Sequence, residues 1–422
     1  METHATGSLA APPAGKIADV TVVARPRLDS IDLLRGIVMV IMLLDHTRDF
    51  AHVGGFDPTD LTQTSVPLFL TRWITHFCAP VFVFLAGTSA YLQVMRGKSK
   101  GEVSRFLWTR GVWLIVLEFT LVRLGMTFNV SYGTFLAGVQ VIWVLGWSMI
   151  ILAALIHLST KWVGVFGVAV VALGNVLDSV QVQPWAGPGT PRSSLGEAIY
   201  MVLHQSGPLP LQADGSPMLF VMYPLIPWIG VMAAGYAFGS VYTLDAARRR
   251  RMLLRLGLGV TAAFVVIRAI NVYGDPSQWS VQRNAVFTVL SFVNTTKYPA
   301  SLLFVLMALG PAILLLAWLE RTPRDPVSRA VTTIGRVPMF YYLLQWPVAH
   351  GLALLLSLAA AKPIAQFFLH PLQWWRVASP EAGFSLPAVY ALWIAGLLIL
   401  YPLCRWFAAV KARRKDWWLS YL

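Results

Sequence analysis

Residues 30–50 read SIDLLRGIVMVIMLLDHTRDF. An acid and a base, Asp32 and Arg35, open the stretch, and an apolar run from Ile37 to Leu44 fills it. It closes on Asp45, His46, Arg48 and Asp49, four ionisable groups within five residues. A helix that crosses hydrocarbon and emerges into such a cluster holds costly charges at the membrane edge, where they need partners and mark candidate function. At 100° per residue, Arg35, Met42, His46 and Asp49 share one face. Arg35 and His46 stand eleven residues apart, roughly 16 Å along the axis, so one stripe connects the two sides of a bilayer. The spacing of three between His46 and Asp49 lets a carboxylate orient an imidazole, as general-base catalysis requires. An interfacial cluster that only ends a helix in water is the plainer alternative.

Composition extends this reading to the whole chain. Of 422 residues, 57% are hydrophobic and 12% charged, where a soluble domain carries about 25% charged residues. This is the balance of an all-α, polytopic membrane protein. The net charge of +14 belongs to loops that fix topology and does not argue for nucleic acid. Cys78 and Cys404 lie in apolar runs and make neither a disulfide framework nor a ligand pattern. Residues 1–26 form a polar tail rich in Ala, Pro and Gly, expected to be disordered, with no apolar core of signal-peptide length.

Ten apolar stretches approach the length that crosses hydrocarbon: 31–47, 73–95, 105–124, 135–158, 162–180, 218–241, 252–272, 299–319, 335–357 and 387–410. The segment 357–371 either extends the ninth or makes an eleventh helix. The hinge at Lys161 reads as a tight hairpin. With alternating spans and a cytoplasmic N-terminus, only nine of the 33 basic residues fall outside: Arg48, Arg72, Arg123, Arg192, Arg268, Arg283, Lys297, Lys362 and Arg376. That asymmetry puts both termini in the cytoplasm, Arg35 at the inner face and His46 at the outer. Basic residues Arg248–Arg251 then face anionic lipid. The membrane portion spans 27–410, followed by a basic cytoplasmic tail, 411–422.

The longer connections, 48–72, 181–217, 273–298 and 358–386, all lie outside, where long loops are more often functional than incidental. They gather His46, His52, His76 and His350 at one edge, without the spacing of a metal site. Trp185, Trp279, Trp374 and Trp375 on that side suit an interfacial belt or a sugar-stacking surface. Pro80, Pro224, Pro227, Pro338 and Pro347, with Gly87, Gly230 and Gly235, predict kinks and close helix contacts. No internal repeat is evident, which weighs against repeat-built transporters.

RLDSIDLLRGIVMVIMLLDHTRDF, APVFVFLAGTSAYL, YPLIPWIGVMAAGYAFG, TTKYPASLLFVLMALGP and GRVPMFYYLLQWPVAH follow one another in this order. The set resembles a bacterial integral-membrane family related to heparan-alpha-glucosaminide N-acetyltransferase, over about residues 27 to 410. The resemblance implies transfer of an acyl group, most simply acetyl, from cytoplasmic acyl-CoA to a sugar or glycan hydroxyl or amine at the outer face of the inner membrane. No metal is expected, since the histidine spacing gives no ligand pattern. His46 occupies roughly the helix-end position of the catalytic histidine in the wider acyltransferases, whereas His52 falls nearer its place in the glucosaminide enzyme, so both stand as base. Gln345 replaces a histidine that related chains carry after FYYLL.

On this reading Asp49, with Asp45 as the lesser candidate, orients the imidazole. Arg35 and Arg336 meet CoA phosphates, although Asp32 also stands ready to lock Arg35. Lys297, Arg48 and His350 are the candidates for holding the acceptor. Arg48 equally suits an ion pair with Asp45 and Asp49, and Lys297 a snorkelling role or polarisation of the thioester. A covalent acyl-histidine route stays open, as does an oligomer. A proton-coupled transporter with Asp45, His46 and Asp49 as relay is the alternative class, and a scaffold the third.

Overall fold

The computed structural model describes residues 29–53, 56–187, 189–321, 325–369, 382–414 and 416–422. The expected tail 1–26, Trp374, Trp375, Arg376 and Lys415 lie outside the described residues. The chain is mainly helical, and its helices begin where sequence chemistry permits. Ser99 and Glu102 form a capping box at α4 (Lys100–Leu117), and Ser194 and Glu197 form another at α8 (Leu195–Leu203). Ser65, Ser159, Asp245, Asn284, Ser301 and Asp325 cap α2 (Val66–Thr75), α7 (Thr160–Leu173), α10 (Ala246–Ile270), α11 (Ala285–Val293), α12 (Leu302–Leu319) and α13 (Pro326–Arg336).

Among the described residues, seven helical stretches are long and apolar enough to cross a membrane: Val66–Met95, Thr160–Ser179, Leu225–Thr243, Ala246–Ile270, Leu302–Leu319, Pro338–Ala359 and Leu386–Arg413. The chain is therefore a multi-pass membrane protein. These stretches coincide with seven of the expected spans. The other three differ in kind. The first is α1 (Asp29–Ala51), which is 23 residues long but charged at both ends. The second, α4, carries Lys100, Glu102, Arg105 and Arg110, and continues through a π-helical turn, Glu118–Val122, into α5 (Arg123–Thr127). The third is α6 (Val141–Leu155), apolar but only 15 residues long.

The expectation of an all-α chain needs correcting. Phe135–Val139 (β1), Gly207–Pro210 (β2) and Met218–Val221 (β3) form a three-stranded sheet in the order β1-β3-β2, with β1 parallel and β2 antiparallel to β3. The segments 135–158 and 218–241 are thus a strand followed by a helix, not continuous spans. Pro224 explains the second break, because proline holds the residue before it in extended conformation; α9 (Leu225–Phe238) starts directly after it. Lys161 lies in the first turn of α7, and α14 (Pro338–Ala359) stops before the 3-10 turn Ala365–Phe368.

Helix α1 is the axis of the molecule: it packs against α2, α3 (Cys78–Met95), α12, α13, α14 and α15 (Leu386–Arg413). Close helix contacts rest on missing side chains. A Cβ on Gly335 would stand 1.8 Å from the Asp32 carbonyl oxygen, and one on Gly36 would stand 2.0 Å from that of Val331. Gly87 and Gly235 do the same between α3 and α9, with 2.0 and 2.1 Å to facing carbonyl oxygens. By contrast α7, α10 and α15 bury few residues and turn Val168, Val265, Ile270 and Leu398 outward, more than 45% exposed, as lipid-facing helices do. The expected tail from 411 is partly built in. Helix α15 runs on to Arg413, and the chain then returns to α4, where Tyr421 Oη lies 2.7 Å from Thr109 Oγ1. Burial of Leu419 holds it there.

Candidate active site at the junction of two cavities

The charged end of α1 is held by a compact ion cluster. Arg72, from α2, reaches both carboxylate oxygens of Asp45 at 2.7 Å with Nη1. Arg48 Nη1 lies 2.8 Å from Asp45 Oδ1, and Thr75 Oγ1 donates to that oxygen at 2.9 Å. Arg48 Nη2 also bonds Asp49. Arg48 is 3% exposed, so the structure assigns it the ion-pair position of the two open to it. The expected Asp49-to-His46 hydrogen bond is not formed, because the guanidinium of Arg48, with its fork of donors, takes the carboxylate instead. His46 is buried and lies flat on Trp346, ring centroids 3.7 Å apart, and its Nδ1 has no hydrogen-bond partner.

His46 borders a cavity of about 310 Å³ whose walls include Met42, Asp49, His52, Asp57, Arg72, Cys78, Gln140, Tyr223, Lys297, Tyr298, Tyr342 and Trp346. The sheet sets part of this wall: Gln140 follows β1 directly, and Met222 and Tyr223 follow β3. His52 is half-buried in the wall, its backbone bridged to Phe384. Burial holds its imidazole below the ordinary value, against a backbone bond at Val53 and reinforced by Arg48.

The other expected histidines do not join them. His76 is buried with its ring 5.6 Å from that of Phe304. His350 is stacked between Phe50, at 4.4 Å, and Phe128, at 3.8 Å, with Nδ1 3.0 Å from the Gly125 carbonyl oxygen. It lines neither cavity, so the acceptor-binding role expected of His350 has no geometric support: aromatic packing at the α5–α14 contact accounts for its position. Gln345 donates to Met42 Sδ at 3.2 Å within the core.

A second cavity, of about 710 Å³, opens at the Arg35 end of α1, a volume typical of small-molecule sites. Arg35, Arg96, Arg110, Arg336 and Lys411 border it, together with Asp32 and an apolar wall that includes Phe82, Leu107, Leu114, Leu145 and Met149. Arg35 is engaged by Asp32 at 3.1 Å and Ser89 at 3.0 Å, and Arg336 by Asp29 at 3.2 Å. Arg96, Arg110 and Lys411 add to the two cations expected here. Arg96 and Arg110 belong to the basic segment 96–110, and Lys411 opens the basic tail; basic residues on that side read first as topological signals. At the other end Arg72 carried no comparable signal, since only the fold brings α2 against α1.

Met42, Val141 and Tyr342 border both cavities. The two chambers therefore meet midway along α1, on the face that carries Arg35 and His46. One chamber is rich in cations with apolar walls, which fits a phosphate-bearing molecule with a long apolar arm. The other offers an imidazole among tyrosines and charged groups.

The family model described as heparan-alpha-glucosaminide N-acetyltransferase, catalytic, matches residues 27–273. No curated protein matches the chain at a significant level. The match runs from before α1 to just past α10, and so includes Arg35, the ion cluster, both cavity histidines and Tyr223. Covering more than half of the 422 residues, it shows that this chain belongs to the heparan-alpha-glucosaminide N-acetyltransferase catalytic family.

Proposed function

We propose that the protein is a transmembrane acyltransferase that moves an acetyl group from acetyl-CoA, bound in the Arg35 chamber, to a sugar or glycan acceptor in the His46 chamber. The observation that carries this reading is the meeting of the two chambers at Met42, Val141 and Tyr342. A thioester delivered from one side can there reach a nucleophile presented from the other. Ten spans, cytoplasmic termini and an inner-membrane location complete the proposal, with 27–410 as one catalytic domain between two tails. The Arg35 chamber would then face acyl-CoA in the cytoplasm and the His46 chamber the outer compartment, as the charge asymmetry supports.

In the proposed step, His46 accepts the proton as the acceptor's amine or hydroxyl attacks the thioester carbonyl carbon. The new bond forms, the carbon–sulfur bond breaks, and the proton passes from the imidazole to the leaving thiolate. Trp346 fixes the ring plane of His46. Asp45 and Asp49 act as positioning residues, holding Arg48 and Arg72 and so the end of α1. His52 lines the same wall and is the second candidate base. Arg35, Arg96, Arg110, Arg336 and Lys411 supply the cations for the CoA phosphates. The proton-relay alternative draws no support from the ion cluster: both carboxylates of the would-be relay are committed to arginines.

Release of free CoA by purified protein, with a mixture of amino sugars and glycans present, tests the reading. Wild type is expected to turn over. His46→Ala is expected to lose at least about a hundredfold in rate, the usual weight of a general base, and His52→Ala to keep most of it. Well-folded wild type that binds no acyl-CoA would sink the proposal.

A further inference from the structure

Met42, Val141 and Tyr342, which border both chambers, are only 5%, 8% and 4% exposed, so the passage between the chambers is narrow. A thioester shared between the two chambers has to react there. Its carbonyl carbon is planar, and a nucleophile arriving from the His46 chamber approaches across that plane. The sulfur, the oxygen and the alkyl part of the acyl group therefore lie against the wall of the passage.

That wall is stiff on two sides. Val141, at the start of α6, is β-branched, and Tyr342 meets Trp346, one turn further along α14, edge-on at 6.4 Å. The third side is a methionine, whose unbranched side chain is flexible. Met42 is nevertheless held, because Gln345 Nε2 donates to its Sδ at 3.2 Å. Gln345 is fully buried, and its Oε1 has no hydrogen-bond partner among the described residues. Burying an amide with one end unsatisfied is costly, and a leucine would avoid that cost. The hydrogen bond that the amide does make fixes the thioether of Met42. Met42 stands four residues before His46, roughly 6 Å along α1 on the same face, so an acyl group presented to that imidazole lies over it.

We propose that Met42, held in place by Gln345, measures the acyl group: it leaves room for acetyl and turns away propionyl and longer chains. This rests on the acyltransferase reading and adds to it the residue that selects the donor. Met42 is the specificity-determining side chain and Gln345 a positioning residue. Neither takes part in proton transfer.

The test follows CoA release by the purified full-length chain with acetyl-, propionyl- and butyryl-CoA, each beside the same mixture of amino sugars and glycans. Wild type is expected to favour acetyl over butyryl by at least about tenfold in kcat/KM, the lower bound for a methylene that a pocket discriminates. Met42→Ala is expected to transfer butyryl faster than wild type does, a gain that a damaged fold cannot produce, and its acetyl-to-butyryl ratio to fall close to one. Met42→Val, a milder truncation, is read in the same way and stands in for an alanine variant that fails to fold. Met42→Leu, of similar volume, is expected to keep most of the ratio. Gln345→Leu is expected to lower the ratio severalfold without lowering the melting temperature in detergent. Wild type with no acetyl preference would overturn the proposal. So would a truncation of Met42 that keeps the wild-type ratio, however much its absolute rates drop, because the methionine would then serve the reaction or the fold. Gln345→Leu with the wild-type ratio would overturn the part given to Gln345. Wild type that binds no acyl-CoA would instead overturn the acyltransferase reading, and this inference with it.

Discussion

Asp45 illustrates how a residue chosen for chemistry can turn out to organise the chemistry of others. Its carboxylate accepts from the Arg72 guanidinium and the Thr75 hydroxyl and forms an ion pair with the buried Arg48. Asp45→Asn leaves Arg48 and Arg72 facing a neutral amide, and breaking a buried pair from one side costs about 3–5 kcal/mol. Thermal unfolding in detergent should show a marked drop for this variant, and a smaller one for Asp49→Asn, whose side chain is 46% exposed. His52 bears on pH. Its folded value lies below the ordinary one, so the unfolded chain binds the proton more readily. The neutral form's advantage is complete above about pH 6.5, the unfolded value, and stability falls as pH drops through the window below it. His52→Asn is expected to flatten the loss of melting temperature between pH 7 and 5 relative to wild type.

At the level of elements, α1 carries the functional axis and α13 fixes its Arg35 end. Gly36 and Gly335 bring the two backbones together, which sets Arg35 beside the Gly335 carbonyl at 3.4 Å. Gly335→Ala has no room for its methyl group and should displace α13, and Arg336 with it. Its acyl-CoA dissociation constant is expected to rise at least severalfold. Midway along α1, Met42 borders both chambers. Met42→Trp should block the junction, leaving acyl-CoA binding within a few-fold of wild type while transfer falls below detection. Equilibrium binding beside single-turnover transfer separates the two effects.

For the whole molecule, seven helices have the length and apolarity to cross a bilayer, and the charge asymmetry proposes which side each connection faces. Both native cysteines are buried, so an added surface cysteine can be labelled against a quiet background. Lys98→Cys is expected to resist a membrane-impermeant maleimide applied from outside intact cells, and Gln181→Cys to react. The reverse pattern would invert the proposed topology and exchange the compartments of the two chambers.

Much of the architecture was legible locally, because hydrocarbon imposes its own length on a helix: seven of the ten expected spans coincide with apolar helices, and Ser, Asp and Asn caps mark many of their starts. Family membership was readable for the same reason, in motifs held in a fixed order along the chain. Strands β1 and β3 escaped notice because four or five apolar residues beside a helix look like its extension until a partner strand is present, and β2 lay hidden in the connection 181–217. The pairing of charges was legible only within α1, where the Asp32–Arg35 pair and the pairing of Arg48 with Asp45 and Asp49 stood among the alternatives. Spacing on α1 placed Asp49 beside His46, but Arg48 captured that carboxylate, and Arg72 arrived from a different helix to take Asp45. Nothing local distinguished His350, packed among phenylalanines, from His46, stacked on Trp346 in a cavity wall. Helical periodicity determined which groups of α1 share a face. Which of them keeps an unpartnered nitrogen there was decided by neighbours distant in sequence, since a buried charge settles on whichever partner the packing brings within reach.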